Sequence, residues 1–256
     1  MIDLYGLSDP GRKRKDNEDA LLAVAGLGLG AVADGMGGHQ SGEVASALAV
    51  EALSDFVARA HQDRDLTWPF GLDPACSFEA NCLRTGIKLA NRQVIGASRG
   101  RPELAGMGTT VVAVLARDGR LTYASVGDSR AYLVRGRGLR QLTRDDSWVE
   151  AALAQRLIAD EERHAHPFRH VLTKAVGLQD DLDLDVFEQP LEPGDRVLLC
   201  SDGLTTALPD KEIGDVVEMY EGDLEGACRA LVAAANEAGG PDNITVVLLL
   251  HHGGSR

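Results

Sequence analysis

Apolar and polar residues alternate from the first positions of the chain. "IDLYGLS" (2–8) has the period of two expected of a strand with one buried face. Two apolar runs, "DALLAVAG" (19–26) and "GLGAVAD" (28–34), flank a Gly-Leu-Gly turn, the pattern of a hairpin. The period then changes. In "SGEVASALAVEALSDFVARAHQ" (41–62), Val44, Leu48, Ala52 and Phe56 recur every four residues, which predicts a helix with Ser41 as its N-cap. A second helix is expected over about 77–98, with Leu83, Ile87, Ala90 and Val94 on one face. Residues 109–143 return to short apolar runs separated by Asp118-Gly119, Gly127-Asp128 and Gly136–Gly138, a strand meander. The segment 147–178 reads as helical and then irregular, part of a flap over about 147–188. "DRVLLCSDG" (195–203) is a strand ending in an acidic turn, 210–219 and 223–238 are helical, and "NITVVLLLH" (243–251) is a further strand. The stretch 63–76, "DRDLTWPFGLDPAC", reads as a loop insertion.

Strands therefore come in consecutive groups with helix pairs inserted between them. That order predicts an α+β fold, a β-sandwich flanked by helices, rather than alternating βαβ units. No repeat or low-complexity linker divides residues 1–256, so one domain is expected.

Composition narrows the functional classes. Apolar residues make up 44% and charged residues 25% of the 256, which is ordinary globular usage. The net charge of −13 repels a phosphate polyanion and argues against nucleic-acid binding. One basic cluster, Arg12, Lys13, Arg14 and Lys15, interrupts this, and it runs straight into Asp16, Glu18 and Asp19. It reads either as a solvated turn or as a local anion site. Cys76, Cys82, Cys200 and Cys228 form no CxxC pair and have the character of small, mostly buried thiols. Neither a signal segment nor an apolar run of about 18 residues is present, so no membrane span is expected and a cytoplasmic location is.

The carboxylates carry the chemistry. Asp19 and Asp34 are equidistant from the turn at 26–27, so an antiparallel hairpin sets them opposite each other, with Cα atoms about 4.5–5.5 Å apart. Two carboxylates that close repel unless a cation lies between them. Asp34, Asp128 and Asp202 follow strands, whereas Asp19 and Asp242 precede or begin them. Antiparallel pairing can bring all five to one edge. An all-carboxylate edge suits hard cations such as Mg²⁺ or Mn²⁺, not zinc. Turn chemistry at strand ends explains any one of these aspartates equally well. Gly37 to Gly42 has the spacing of a phosphate-binding loop, but Glu43 stands where lysine is required. Gly127-Asp128-Ser129-Arg130-Ala131 lacks the final glycine of a nucleophile elbow. His164, His166 and His170 read as surface or capping histidines.

Taken in order, "SDPGRKRKDNEDA" (8–20), "VADGMGG" (32–38), "GMGTTVV" (106–112), "ASVGDSRAYL" (124–133), "LTRDDSWV" (142–149), "HPFRHVLTKAVG" (166–177), "LLCSDGL" (198–204) and "GGPDNITVV" (239–247) resemble the metal-dependent Ser/Thr protein phosphatases of type 2C, in their bacterial branch. Eight motifs spanning nearly the whole chain make the resemblance specific. It implies two central antiparallel sheets flanked by helix pairs, four layers in all, with a two-metal Mn²⁺ or Mg²⁺ centre at one edge. By the resemblance, Asp34 bridges the metals, the Gly35 carbonyl, Asp202 and Asp242 are further ligands, and Glu18 and Asp19 hold metal-bound water or metal. Asp128 matches a third, weaker metal site, and Arg14 matches the arginine that binds substrate phosphate. The implied reaction is attack of a dimetal-activated water on phosphoserine or phosphothreonine in proteins, with no covalent intermediate. The implied partners are phosphorylated proteins and a cognate Ser/Thr kinase. A monomer is expected, since no coiled-coil pattern appears.

Two positions depart from the family. Met36 stands where some members carry a histidine proposed as general acid, which leaves His39, a metal-bound water or a flap histidine as possible proton donors. Asp146 stands where many relatives have histidine, and an effect on the flap or on substrate preference is expected. A catalytically silent binding module would lack metal ligands, and here every expected one is present. Hydrolysis of another phosphate ester stays open on sequence alone.

Overall fold

In the computed structural model, which describes residues 1–38, 41–63, 65–163 and 166–253, two antiparallel sheets stack face to face between helices. The chain begins with β1 (Ile2–Asp9), β2 (Asp19–Val24) and β3 (Leu29–Met36), followed by α1 (Ser41–Gln62) and α2 (Phe78–Ser98). The meander is β4 (Gly108–Thr109), β5 (Val111–Arg117), β6 (Arg120–Val126), β7 (Arg130–Arg135) and β8 (Gly138–Gln141). Then come α3 (Trp148–Ala154), β9 (Val186–Pro190), β10 (Arg196–Cys200), α4 (Asp202–Ala207), α5 (Asp210–Met219), α6 (Leu224–Glu237) and β11 (Ile244–His251). One sheet has the order β1-β11-β10-β7-β8; the other is β2-β3-β5-β6-β9, with β4 paired to β3.

The central strands are apolar on both faces because each face is covered. Val32, Val112, Val197, Leu199, Val247 and Leu249 fill the space between the sheets. Their neighbours on the same strands, Ala31, Ala33 and Ala113, pack under α1 and α2 with Leu53, Leu83 and Ile87. Leu198, Cys200 and Leu248 pack outward against α4 to α6. A strand's side chains alternate between faces, so adjacent residues serve different layers. Each fully buried leucine of this kind contributes roughly 2 kcal/mol by leaving water. The four-layer α+β architecture agrees with the family expectation. Among the described residues no helix is long and apolar enough to cross a membrane. The cysteines are free, and burial pushes the Cys82, Cys200 and Cys228 thiols up to about 12.

Two local expectations are corrected. Ser41 does not accept an amide as an N-cap; its Oγ donates to the Gly38 carbonyl at 2.6 Å. The acidic turn after β10 is the first turn of α4, so Asp202 opens a helix whose preceding residue, Ser201, is extended. Six residues are too few for hydrophobic periodicity to show in sequence.

Candidate active site

Strand register places the acidic residues. β2 and β3 pair so that Asp19 lies opposite Asp34, as the index sum of 53 requires. β10 and β11 run antiparallel with Cys200 opposite Val246, which sets Asp202 and Asp242 at the same end. β5 pairs with β3 on one side and β6 on the other, and β6 ends at Val126, two residues short of Asp128. A cleft of about 540 Å³ opens there. Arg14, Glu18, Asp34, Gly35, Asp128, Asp202 and Asp242 line it, with Met36, Thr110, His170, Leu172, Leu178 and Asn243. Asp19 stands one step back from the surface of the cleft, where Ser201 Oγ donates to its Oδ2 at 2.8 Å. His39 lies outside the described residues.

The backbone around Asp34 is fixed on both sides. Its N–H donates to Thr110 Oγ1 at 2.9 Å, and its carbonyl accepts from Thr109 Oγ1 at 2.9 Å and the Thr110 N–H at 2.8 Å. Thr110 Oγ1 lies 2.7 Å from Ser129 Oγ, and both residues are buried. A pair of hydroxyls thus ties Asp34 to the loop that carries Asp128. Gly35 donates its N–H to the Glu18 carbonyl at 3.0 Å, and a Cβ there would run into the Gly42 carbonyl. Only glycine lets β3 approach the start of α1 this closely, which holds the Gly35 carbonyl in the cleft.

Charge is crowded at this edge. Burial, then Asp19, Asp202, Asp128 and Asp242, raise the Asp34 carboxyl well above the usual carboxylate range. Burial pushes Asp19 up to about 6, and burial together with Asp202 and Asp145 pushes Asp128 up to about 7. Asp202 is raised by burial and by Asp242. Arg14 meets this charge from the rim: its Nη2 donates to Asp242 Oδ2 at 2.8 Å, and its side chain is 51% exposed.

The family model for protein phosphatase 2C matches residues 11–240. The Ser/Thr phosphatase Stp of Listeria welshimeri is 36% identical over 249 residues, covering 94% of this chain and 93% of that protein. The crystal structure of the Mycobacterium tuberculosis Ser/Thr phosphatase PstP superposes with a TM-score of 0.85 at 34% identity, covering 98% of this chain and 99% of that one. The PstP catalytic domain in complex with two manganese ions superposes with a TM-score of 0.81 at 34% identity, covering 97% of each chain. The chain belongs to the protein phosphatase 2C family. It is a metal-dependent hydrolase of phosphoserine and phosphothreonine in proteins.

The residues of this phosphatase fit a hard divalent cation. Among the described residues no three acidic, histidine or cysteine side chains already close around a common point. Yet Asp19 Oδ1 and Glu18 Oε1 are buried with no hydrogen-bond partner, although a buried carboxylate oxygen normally has one. Oxygen donors held apart by mutual repulsion and short of partners are what a small cation satisfies.

Other residues of the phosphatase escaped the sequence reading. Asn243, 5% exposed, donates from Nδ2 to the Pro10 carbonyl at 3.0 Å and the Asp16 carbonyl at 2.9 Å, while its Oδ1 accepts the Glu18 N–H at 2.9 Å. It clasps the loop bearing Arg14 and Glu18 onto the strand end bearing Asp242. In sequence Asn243 only opened the strand 243–251; nothing there pointed to residues more than 220 positions away. Of the three flap histidines, His164 lies outside the described residues, and the other two divide. His166 stacks on Trp148 at 4.6 Å between ring centroids, whereas His170 enters the cleft with Nδ1 4.0 Å from Asp202 Oδ2. His170 is a surface histidine, its side chain 54% exposed, that stands at the rim of the cleft beside the bridge between Ser147 and Leu172. Asp146 accepts the Gly127 N–H at 3.2 Å and so supports the loop next to Asp128.

Proposed function

We propose that the cleft holds two divalent cations, manganese or magnesium, with Asp34 between them. The Gly35 carbonyl, Asp202 and Asp242 would be the other direct ligands, and Asp19 and Glu18 would hold metal or its water from behind. Asp128 would serve a third, weaker site. The observation that carries this reading is the convergence of Asp19, Asp34, Asp128, Asp202 and Asp242 at one edge, with the Asp19 Oδ1 left unpartnered. When bound, the cations supply Lewis acidity, lowering the pKa of a water and offsetting charge on the phosphoryl oxygens.

The chain's own residues do the rest. Arg14 uses one N–H on Asp242, and its remaining donors suit the fork geometry of a phosphoryl group. By holding the phosphoryl group against the carboxylate edge, Arg14 supplies orientation as well as charge. Thr110 and Ser129 keep Asp34 and Asp128 at fixed spacing, so neither has to reorganise as charge develops. Met36, Leu172 and Leu178 form the apolar wall, which lowers the local dielectric.

Phosphoserine and phosphothreonine are made by protein kinases, so the enzyme that supplies this substrate is a Ser/Thr kinase acting on the same proteins. The test is hydrolysis of a phosphothreonine peptide alongside calorimetry with Mn²⁺. Chelation is expected to abolish turnover and Mn²⁺ to restore it, while Asp34→Asn and Asp202→Asn lose both turnover and the heat of Mn²⁺ binding. Full activity and full binding in either variant would sink the assignment.

A further inference from the structure

The geometry points to the basic loop Arg12–Lys15 as a docking strip for substrate segments that carry acidic residues beside the phosphorylated one. The inference rests on Arg14 marking the phosphate position. Three observations support it. First, Arg12, Lys13 and Lys15 are exposed, and among the described residues none of them forms an ion pair; Arg14 alone is paired, to Asp242. Three uncommitted cations flank Arg14, which lines the cleft, in a protein of net charge −13.

Second, the loop is held rigidly. Asn243 Nδ2 binds the carbonyls of Pro10 and Asp16, one on either side of the basic run. The N–H groups of Arg12 and Lys13 both donate to the Gly240 carbonyl, at 2.9 and 3.2 Å. Gly11 adopts φ +79°, and a Cβ there would run into the Asp242 carbonyl, so the loop lies tight on the strand end. A cationic loop ordered in advance loses little freedom when it meets an anionic partner.

Third, the charge is local. The other charged groups of the cleft are carboxylates, and the remaining wall is Met36, Leu172 and Leu178 beside His170. An acidic segment repelled by most of the surface is therefore guided to this one rim, with its phosphorylated residue entering past Arg14. Ordinary salt screens such fields within about 10 Å, so the strip acts on residues close to the phosphate.

The experiment compares phosphothreonine peptides that differ only in having glutamates, glutamines or lysines around the phosphothreonine. Metal-loaded wild-type enzyme is expected to prefer the glutamate peptide over the glutamine one by about tenfold in kcat/KM at low ionic strength, mainly through KM, and by less at 0.5 M salt. A variant carrying Arg12→Ala, Lys13→Ala and Lys15→Ala is expected to fall to about twofold or less, with p-nitrophenyl phosphate turnover unchanged. A Lys13→Glu, Lys15→Glu variant is expected to favour the lysine peptide. Equal turnover of all peptides by the wild type, or a preference that survives the triple substitution, overturns the docking strip and leaves the phosphatase site intact. Absence of turnover on every peptide overturns both.

Discussion

Replacing Asp34 with asparagine removes one negative charge from the crowded edge while keeping the shape of the side chain. Asp34 faces Asp19 across the β2–β3 pair and lies near Asp202, Asp128 and Asp242. At an effective dielectric of about 20, two carboxylates roughly 5 Å apart repel by about 3 kcal/mol. Burial and the neighbouring carboxylates raise the Asp34 and Asp202 carboxyls, the direction expected where negative charge is crowded. The metal-free variant is therefore expected to be more stable than metal-free wild type by about 1–3 kcal/mol at pH 8. For a chain of 256 residues that is a rise in Tm of roughly 3–10 °C.

Metal reverses the order. A cation at 100 times its Kd stabilises the wild type by about 2.7 kcal/mol, and the variant, short of the proposed bridging carboxylate, is expected to gain far less. Thermal unfolding of both proteins in EDTA and in MnCl₂ measures all four states. The variant should melt higher in EDTA and lower in MnCl₂. A variant that melts below wild type in EDTA, or that gains the full manganese shift, refutes the electrostatic reasoning.

Asn243→Ala removes three partly buried hydrogen bonds and is expected to cost about 2–3 kcal/mol of stability and to raise KM for phosphopeptides, as the Arg14 loop loses its anchor; denaturant titration and peptide kinetics check the two effects. Gly35→Ala drives a methyl group into the Gly42 carbonyl and should abolish Mn²⁺ binding by calorimetry as well as turnover. Asp195, 2% exposed, accepts from Arg135 Nε at 2.8 Å, Arg135 Nη2 at 2.7 Å and the Glu192 N–H at 2.7 Å. Burial raises its carboxyl, but these donors outweigh burial and hold it below the ordinary value. A depressed carboxylate stabilises fully above its unfolded pKa near 4 and loses that contribution as pH falls through the folded pKa. Asp195→Asn is therefore expected to lose about 1–2 kcal/mol at pH 7, given a partner that is 41% exposed, and the gap should narrow as pH falls below the unfolded value near 4 when both proteins are melted in EDTA.

What the sequence disclosed follows from the range of each interaction. The Asp19–Asp34 pairing is a consequence of hairpin symmetry over 16 residues, so the positions of two aspartates and a turn suffice to predict it. The helices α1 and α2 are long enough for a four-residue period to stand out. The convergence of Asp128, Asp202 and Asp242 on that hairpin depends on which strands become neighbours, and the pattern only allowed it; the motif order supplied the rest. Asn243, Thr110 and Ser129 were illegible for another reason. Each acts through hydrogen bonds to main-chain groups or hydroxyls distant in sequence, and such groups leave no trace in residue type. That His170 stands at the cleft rim was likewise not legible, because its position depends on the flap beside the Ser147–Leu172 bridge.

The clasp of Asn243 on Pro10 joins residues 233 positions apart, and among the described residues β1 pairs within its sheet with β11 alone. During synthesis the amino-terminal loop must wait until residues up to His251 have left the ribosome before it can settle. Arg14, Glu18 and Asp242 thus assemble together and late, after the hairpin and its covering helices have had time to form from nearer contacts. A nascent chain halted between β3 and Asp242 carries Arg14, Asp19 and Asp34 but lacks both Asp242 and the Asn243 clasp that seats the Arg14 loop. Translation products that stop short of Asp242 are therefore expected to be inactive.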